Sequence, residues 1–357
     1  MANDYATIYY FRRELIARLI SEGFEVILSL PSNKNNSEFV IMGCRLDEIK
    51  LERTSKNPLK DIILLFNYLK QIIKFKPDLV FTFTIKPNIY GSMACQLTKT
   101  PYLNNVTGIG SAMQNESFTK KILLLLQKVA LSKANIVYFQ NQANKEYYEN
   151  NNIIRGNSIL LPGSGVNLGV NSFEDYPIES EIIKFIIVSR VRKDKGFDEL
   201  FDAIKCITQE INNIEFHIVG WCEHTEYEER VQLITREHPV IFHGKQTQCK
   251  VHELITDSHC LIHPSHHEGM ANVILEASAT GRPCIVSDIS GCREAVDNGK
   301  TGLHFEVKNS YDLVEKMKQF INLEYKDKAL MGVRAREKME VEFDRNIVVD
   351  EYMNNIK

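Results

Sequence analysis

The sequence predicts an α/β protein built from two domains with parallel sheets. Its 357 residues are enough for two domains that each bury a hydrophobic core. In both halves, apolar runs of strand length alternate with segments of helical periodicity, which is the pattern of βαβ units. An uncharged, glycine-rich stretch over Leu160–Val170 lies between the halves and is typical of a domain linker.

The first half begins with a short loop that leads into an amphipathic helix, and strands and helices alternate after it. The strands, of which the second runs on into a loop, are expected over Phe24–Leu30, Val40–Glu48, Asp78–Phe83, Tyr102–Val106 and Asn135–Gln140. The helices are expected over Tyr10–Glu22, Leu59–Lys76, Phe118–Leu131 and Asn144–Asn150. Because loops that leave carboxyl ends of parallel strands carry ligand contacts, we single out the predicted loop Thr84–Tyr90 and Thr107–Gly110.

The second half repeats the alternation and ends in three helices without a motif. Its strands are expected over Phe185–Val188, Glu215–Val219, Val240–Phe242 and Cys260–His263. The final helices are expected over Asp312–Leu323, Lys326–Phe343 and Ile347–Ile356. A further helix follows the strand that ends at His263, so the turn between them lies at the carboxyl end of a strand.

The turn and the helix that follows it each carry a glutamate. Glu268 lies on the turn, and Glu276 lies eight positions later, about two turns into the helix. A helix N-terminus at this edge of a parallel sheet suits a phosphate, because its free N–H groups and dipole favour negative charge. One carboxylate then lies at the reacting end of the ligand, and the other can accept bonds from paired hydroxyls. Spacing alone allows a second interpretation, in which the two acids share no role.

A second constellation follows the first strand of this half. Arg190 comes just after the strand, and Lys195 with Gly196 precedes the next helix. A planar guanidinium, an amine and a helix N-terminus together can bind a diphosphate. Without the two glutamates, solvated basic residues in a turn would be the default interpretation.

Charge divides unevenly between the halves. Residues 1–165 hold 20 Lys and Arg against 13 Asp and Glu, whereas residues 166–357 hold 23 against 33. A basic first half suggests an anionic partner, either a membrane surface or an acceptor that bears a diphosphate. The segment Phe118–Leu131, apolar over most of its circumference with three lysines, is either an interfacial membrane helix or a core helix.

Composition excludes several classes of protein. No apolar run approaches the roughly 18 residues of a membrane span, and no signal peptide opens the chain. The eight cysteines lack metal-binding spacing, which favours free thiols in a reducing cytoplasm. We expect no nucleic-acid partner. Three histidines crowd the glutamate motif, but Pro264 interrupts them and no i, i+4 pair lies on a helix, so we expect no metal site.

The motifs together resemble the family-4 retaining glycosyltransferases of the GT-B fold. The likeness rests on Glu268-x7-Glu276, on Gly281-Arg282-Pro283, on Gly302 and on SRVRKDKGFDEL over 189–200. TFTIKPNIYG over 82–91 and NNVTGIG over 104–110 resemble a branch that extends polyprenyl-diphosphate-linked glycans. The resemblance implies two Rossmann-like domains that face each other across a cleft. It implies an acceptor domain over 1–163, a nucleotide-sugar domain over 164–342 and a last helix over 343–357 that packs back on the first domain.

The resemblance also implies roles for individual residues. Glu268, Arg190 and Lys195 would be catalytic, with a nucleotide-sugar donor, expected to be a UDP-sugar, and with no metal or other cofactor. The residues expected to bind the donor are Glu276, Gly269, Met270, Ala271, Asn272, Lys245, Gly220 and His267. The residues expected to bind the acceptor are Lys86, Asn88, Thr107 and Gly108. The family-4 branch implies a lipid-linked acceptor at the inner face of a bacterial cytoplasmic membrane, with the enzyme bound there peripherally.

One feature departs from the family pattern. Relatives begin with a strand that precedes the loop near Asn3, and this strand is missing here, so either the start is too late or the sheet lacks its central strand. Two other functions remain open. A UDP-sugar 2-epimerase shares the architecture but needs histidines in both halves, and the first half has none. A catalytically silent nucleotide-sugar-binding partner is the other alternative, although drift would not spare Arg190, Lys195, Glu268 and Glu276 together.

Overall fold

A computed structural model describes residues 1–52, 57–108 and 118–356 of the chain. They form two compact units, of which the first comprises Met1–Ser164 with Asn346–Lys357 and the second comprises Gly165–Arg345. Each unit has its own buried apolar core. Within the described residues, no helix is both long and apolar enough to cross a membrane.

The strands of the first unit fall into two parallel groups. They are β1 (Ile27–Leu28), β2 (Arg45–Leu46), β3 (Val80–Phe83), β4 (Tyr102–Val106), β5 (Ile136–Phe139) and β6 (Asn157–Leu160). The first two pair with each other, and the last four form one sheet in chain order. The four-stranded sheet therefore places the carboxyl ends of β3 and β4 side by side.

A cavity of about 680 Å³ lies where β1 and β3 face each other. Met1 partly bridges them, because its ammonium donates to Phe81 O at 2.8 Å and its carbonyl accepts from Phe83 N at 3.0 Å. On the other side, Ala2 N donates to Ser29 O at 3.3 Å. Burial lowers the pKa of the Met1 amino group to about 5. Among the described strands, none fills this gap, and the two groups stay separate.

The first unit also contains helices. They are α1 (Tyr5–Ser21), α2 (Ser37–Ile41), α3 (Pro58–Phe75), α4 (Ser92–Thr98), α5 (Phe118–Leu131) and α6 (Gln142–Asn150). Asp4 starts α1 by accepting from Thr7 N at 2.7 Å, which places its beginning five residues before the predicted one. The last helix, α13 (Arg345–Asn354), places Val348, Tyr352 and Met353 in the core of the first unit.

Two predicted segments of this unit have a different structure. The expected strand at Val40 is the end of α2, and only Arg45–Leu46 is extended. Val40 and Ile41 are β-branched, but both are exposed, so the core does not hold them in a sheet. The expected loop at Thr84–Tyr90 is helical from residue 85, and a hydrogen bond from Asn88 N to Thr84 O closes its first turn. This helical segment contains a π-helix over Pro87–Gly91.

The second unit contains one six-stranded parallel sheet. Its strands are β7 (Ile183–Val188), β8 (Ile214–Val219), β9 (Val240–Gly244), β10 (Cys260–His263), β11 (Cys284–Ser287) and β12 (Gly302–Phe305). The spatial order is β12-β11-β10-β7-β8-β9, so the connections leave β7 and β10 in opposite directions. This is a topological switch point, and the carboxyl ends of adjacent strands there leave room for a ligand.

Six helices surround this sheet. They are α7 (Phe197–Glu210), α8 (Thr225–Glu237), α9 (Gln248–Thr256), α10 (Asn272–Ala279), α11 (Ser310–Ile321) and α12 (Tyr325–Glu342). The apolar side chains of α7 point into the core beneath β7, including Phe197, Leu200 and Ile204. This packing fixes the N-terminus of α7 just beyond the end of β7.

Arg282 is a fully buried cation in the second unit. Its guanidinium donates to the carbonyls of Glu174 and Asp175 at 2.8 Å and to those of Thr256 and Thr280 at 2.5 Å. Burial lowers its pKa to about 10, well below the ordinary arginine value. Four backbone acceptors from three segments thus converge on one side chain.

The incoming and outgoing segments of the second unit run side by side. Val166 N donates to Phe343 O at 2.8 Å, and Arg345 N donates to Val166 O at 3.0 Å. A Cβ on Gly165, whose φ is +65°, would lie 2.5 Å from the Cα of Arg345. The glycine is therefore required for the close approach of the two segments.

Candidate active site

The candidate site lies in the second unit, where the loops after β7 and β10 meet. His266 N donates to Asp194 O at 2.9 Å, which ties the two loops together. Gly196 lies between a 3₁₀ turn (Lys193–Lys195) and α7, with φ of +74°. A Cβ on it would lie 1.9 Å from Pro264 O, so only glycine fits between the loops.

Replacing Gly196 by alanine is expected to impair both folding and activity. The positive φ costs about 1–3 kcal/mol for a residue with a Cβ, and the clash with Pro264 O adds to it. Thermal unfolding followed by circular dichroism should show the loss. Gly299→Ala is the matched control, because its φ of +76° is similar but its Cβ meets nothing within 4 Å. Equal stability of the two variants would contradict the close contact.

Lys195 and Glu268 form a half-buried ion pair at the centre of the site. Lys195 Nζ lies 2.5 Å from Glu268 Oε1, and the exposed fractions of the two side chains are 16% and 13%. His263 Nε2, at the end of β10, lies 2.8 Å from the same oxygen. Burial alone would raise the pKa of Glu268, but Lys195 and His263 lower it far below its ordinary range. The carboxylate is therefore ionised at every physiological pH.

Glu276, on α10, is the second carboxylate of the motif and has the opposite electrostatics. Burial raises its pKa to about 7, and the positive charge of Arg345 opposes this shift only in part. The two acids differ because Glu268 has a lysine within hydrogen-bond distance. One carboxylate is permanently charged, and the other changes charge near neutral pH.

The N-terminus of α10 follows Glu268 directly. Ala271 occupies the N-cap position, and its methyl side chain makes no capping hydrogen bond. Met270 and Ala271 are buried, and Ala271 N donates to Gly291 O at 3.1 Å. The buried Oδ1 of Asn272 has no hydrogen-bond partner among the described residues. Backbone N–H groups of the first turn and this amide are available to a ligand, and the helix dipole favours an anionic one.

Arg190, the other predicted cation, lies after β7 but is engaged by an acid. Its Nη1 lies 3.2 Å from Glu223 Oε1, and Arg192 Nη1 lies 2.6 Å from Glu223 Oε2. Arg192 also pairs with Asp194. Sequence reasoning missed Arg192 and Glu223. The alternation of cations in SRVRKDK was a signal for Arg192, whereas Glu223 comes from the loop after β8.

A segment after β11 also lines the site, and sequence reasoning missed it. Gly291 approaches Glu268 so closely that a Cβ on it would lie 2.7 Å from Gly269 O and 3.1 Å from Glu268 Cβ. Glu294 accepts a hydrogen bond of 2.6 Å from Gly291 N. The sequence signal was the run SDISG, a strand end followed by glycine, which resembles the turn after β10.

The remaining predicted donor residues lie around these loops. Gly220, with φ of +152°, follows β8 and donates to Gly244 O at 2.9 Å. Lys245 Nζ lies 5.4 Å from the centroid of the Trp221 ring, a cation–π contact. His267 is exposed beside Glu268. Their roles toward a ligand stay predictions.

The predicted acceptor residues lie in the first unit, and their side chains have internal partners. Lys86 Nζ lies 2.8 Å from Asp61 Oδ1. Asn88 is buried and donates to Asn105 O at 2.8 Å, while its Oδ1 accepts from Thr82 at 2.8 Å. The roles of these residues in acceptor binding stay predictions. Thr107 and Gly108 follow β4 and are the last described residues before 118; Ile109 and Gly110 lie outside the described residues.

The described residues contain no group of three His, Cys, Asp or Glu side chains arranged to hold a metal ion. The histidines near the motif have other partners, since His263 contacts Glu268 and His266 lies 3.0 Å from Glu199.

Two parallel-sheet units, the second with a ligand site at its topological switch point, are the architecture of the GT-B fold. Solved structures share this fold. The Anabaena protein HepE, crystallised with UDP, matches with a TM-score of 0.79 over 99% of this chain and 98% of its own, at 17% identity. Sucrose-phosphate synthase from Thermosynechococcus elongatus matches with a TM-score of 0.79 over 99% and 94%, at 19% identity.

Sequence comparison identifies the family. Residues 2–141 match the family "Glycosyl transferase 4-like", and residues 171–338 match "Glycosyl transferases group 1". Both halves of the chain thus match glycosyltransferase families, and the chain is a glycosyltransferase.

Two curated relatives are similar over most of the chain. One, from Campylobacter jejuni, is N,N'-diacetylbacillosaminyl-diphospho-undecaprenol alpha-1,3-N-acetylgalactosaminyltransferase, 25% identical over 98% of this chain and 95% of its own. The other is the Staphylococcus aureus capsular polysaccharide biosynthesis glycosyltransferase CapM, 26% identical over 82% of each chain.

Proposed function

We propose that this glycosyltransferase moves a hexose or N-acetylhexosamine from a UDP-sugar to a polyprenyl-diphosphate-linked glycan, with retention at the anomeric carbon. The observation that carries the proposal is the Lys195–Glu268 pair beside the uncapped N-terminus of α10. A lysine held by a carboxylate at a helix N-terminus is a preorganised site for the charge that develops on a departing diphosphate.

In this proposal each charged side chain of the candidate site has a role. Lys195 and Arg190 stabilise the leaving diphosphate, together with the first turn of α10. Glu276 accepts hydrogen bonds from the ribose hydroxyls, and Glu268 orients hydroxyls of the donor sugar. The bond from the anomeric carbon to the phosphate oxygen breaks, and a bond to the acceptor oxygen forms on the same face. The acceptor proton passes to the departing phosphate oxygen, so the step needs no protein nucleophile.

The electrostatics of the site support catalysis without a metal. Lys195 is half-buried, where a positive charge acts on the diphosphate with little screening by water. Arg190 follows the same strand and pairs with Glu223, so a bound diphosphate would compete with Glu223 for the guanidinium. We propose that these two cations perform the neutralisation that divalent ions perform in other transferases. Equal activity with EDTA and with added magnesium is the expected result.

The acceptor and its location are inferred from the relatives and from charge. The Campylobacter relative is named for an acceptor linked to diphospho-undecaprenol, and CapM is named for capsular polysaccharide biosynthesis. Residues 1–165 carry an excess of seven basic residues, which suits a diphosphate and anionic lipid headgroups. We therefore place the enzyme peripherally on the cytoplasmic face of the membrane.

The test is UDP release from a panel of UDP-sugars, with and without a short-chain polyprenyl-diphosphate-sugar. Release that needs one donor and the acceptor together, and that fails in Glu268→Ala, supports the proposal and names the sugar. The inverted product anomer would contradict retention. Free sugar formed without acceptor would indicate the epimerase, and UDP binding without turnover would indicate a silent binding partner.

The affinity for UDP is expected to fall as the pH falls through 7. The pKa of Glu276 is raised to about 7, so its carboxylate takes up a proton in this window and loses acceptor capacity toward the ribose. For a pKa near 7, binding at pH 6 should be up to about 10-fold weaker than at pH 8. Calorimetric titration measures this.

Glu276→Gln is the control for that titration. The glutamine keeps the shape of the side chain but has no carboxylate, and the protonation of UDP itself is unchanged. The pH dependence that remains in the variant arises from protonation of the UDP phosphates. Identical pH profiles for the variant and the unchanged protein would contradict the role of Glu276.

A further inference from the structure

An apolar stripe runs along the outer side of α3. Leu59, Ile62, Ile63, Phe66 and Ile73 are exposed, and the exposed fraction of Phe66 is 62%. Their spacing of three, four and seven residues places them on one side of the helix. The opposite side, with Leu64 and Tyr68, packs into the core. The helix thus has two apolar sides, and the described residues cover only one of them.

The same feature continues on the two neighbouring helices. Helix α4 packs against both α3 and α5. It exposes Leu97, and α5 exposes Ile122, Leu125 and Val129 at positions that share one side. We name the exposed side of these three helices the α3–α5 face. Its nine apolar side chains form a surface of the kind that marks an interaction site on a soluble protein.

The α3–α5 face is also basic. The helices α3, α4 and α5 contain one acidic residue, Asp61, and its two oxygens bond to Lys86 and Tyr90. They contain six lysines, Lys60, Lys70, Lys74, Lys120, Lys121 and Lys128, of which Lys60 pairs with Glu52 and Lys74 with Asp47. Lys70 and Lys121 are exposed next to the apolar stripes. Apolar side chains between lysines are the pattern of a helix that lies in the interface of an anionic bilayer.

We propose that the α3–α5 face docks on an anionic lipid bilayer, with α3 lying in the plane of the membrane. An 18-residue helix provides about 27 Å of contact along that plane. The apolar stripes enter the acyl boundary, and the lysines contact lipid phosphates. This inference deepens the proposed function, because it identifies the surface that brings the enzyme to a lipid-linked acceptor.

A second copy of the chain fits the α3–α5 face less well. In a two-fold dimer the same patch faces itself, so its lysines would lie opposite lysines. The described residues of the three helices supply only one carboxylate against them, and Lys86 already engages it. Phospholipid headgroups provide the missing negative charge.

Vesicle sedimentation tests the docking. The full chain is mixed with vesicles of phosphatidylcholine alone or with phosphatidylglycerol added, and we expect binding only to the anionic vesicles. The double change Ile62→Ser and Phe66→Ser should weaken it at least 10-fold. The triple change Lys70→Gln, Lys121→Gln and Lys128→Gln should weaken it by on the order of 100-fold, at about 1 kcal/mol per lysine.

A matched control is available in the second unit. Ile178 and Val341 are exposed by 83% and 75%, and their double serine variant should bind vesicles as the unchanged chain does. Circular dichroism should show equal melting for all variants, because the changed side chains are exposed except for Lys128, which is only partly buried. Unchanged vesicle binding by both face variants would overturn the proposal. Self-association lost in the face variants, without vesicle binding, would overturn it in favour of a dimer.

A second readout separates the membrane proposal from the proposed function. With a water-soluble short-chain acceptor, the face variants should release UDP at the unchanged rate, because none of the changed residues belongs to the candidate site. Activity lost only on vesicle-bound acceptor supports the docking surface. Vesicle binding without any transferase activity would leave the docking supported while contradicting the proposed reaction.

Discussion

Changing Lys195 to methionine is expected to lower UDP release by about 10²–10³-fold, the usual cost of one preorganised electrostatic donor. Methionine keeps the length and apolar stem of the side chain and removes the charge. The variant also leaves Glu268 as a half-buried carboxylate without its closest cation. Initial rates with saturating donor and acceptor measure the catalytic loss, and urea unfolding measures the loss of stability.

The destabilisation should depend on pH in a defined direction. In the unchanged protein the pKa of Glu268 lies below its unfolded value of about 4.5, so the pair stabilises the fold above that pH. This contribution is lost as the pH falls through the folded pKa. The difference between Lys195→Met and the unchanged protein should therefore be largest near pH 7 and shrink below pH 4.5.

Lys193→Met is the matched control for Lys195→Met. It lies in the same 3₁₀ turn but is exposed. This variant should keep both its activity and its stability. Full activity of Lys195→Met, or equal losses in the two variants, would show that the ion pair at Glu268 has no part in catalysis.

The largest loss of stability is expected for Arg282→Met. The change leaves one buried and three partly buried carbonyl oxygens without their donor, and an unsatisfied buried acceptor costs about 1–3 kcal/mol. The segment that follows α10 loses its anchor to residues 174, 175 and 256, so donor binding should weaken as well. Urea unfolding followed by circular dichroism gives the free energy.

Arg236→Met provides the comparison for Arg282→Met. Arg236 is 74% exposed and pairs only with its neighbour Glu237, so its removal should change the free energy of unfolding by less than about 1 kcal/mol. Equal midpoints for the two variants would contradict the structural role of Arg282. Arg282→Lys should recover little, because a lysine amine cannot reach carbonyls in four directions.

Parts of the second unit were predictable because strands near the centre of its sheet, such as β10, are buried at every position. Cys260–His263 was predicted with the observed bounds, since a continuous apolar run ended by proline has few other structures. Val40–Ile41 was predicted as a strand and is helical, because its apolar side chains face solvent and composition does not show which side is covered. The π-helix at Pro87 arises from contacts beyond local propensity.

The candidate site was predictable in its members but not in its pairings. The sequence placed Glu268 and Lys195 in the loops after strand ends and Glu276 on the helix that follows Glu268. The contact between Lys195 and Glu268 joins positions 73 residues apart, and only the adjacency of β7 and β10 creates it. The pairing of Arg190 with Glu223 depends on the loop after β8, and no spacing rule reveals such a partner.

Val166 is hydrogen-bonded to Phe343 and Arg345, so the two ends of the second unit lie side by side. Its chain leaves at the place where it arrives, so one continuous segment contains the entire six-stranded sheet. Such a segment can be transplanted between relatives with two junctions that lie side by side. Exchange of residues 165–345 between relatives would therefore replace the whole second sheet without dividing either unit.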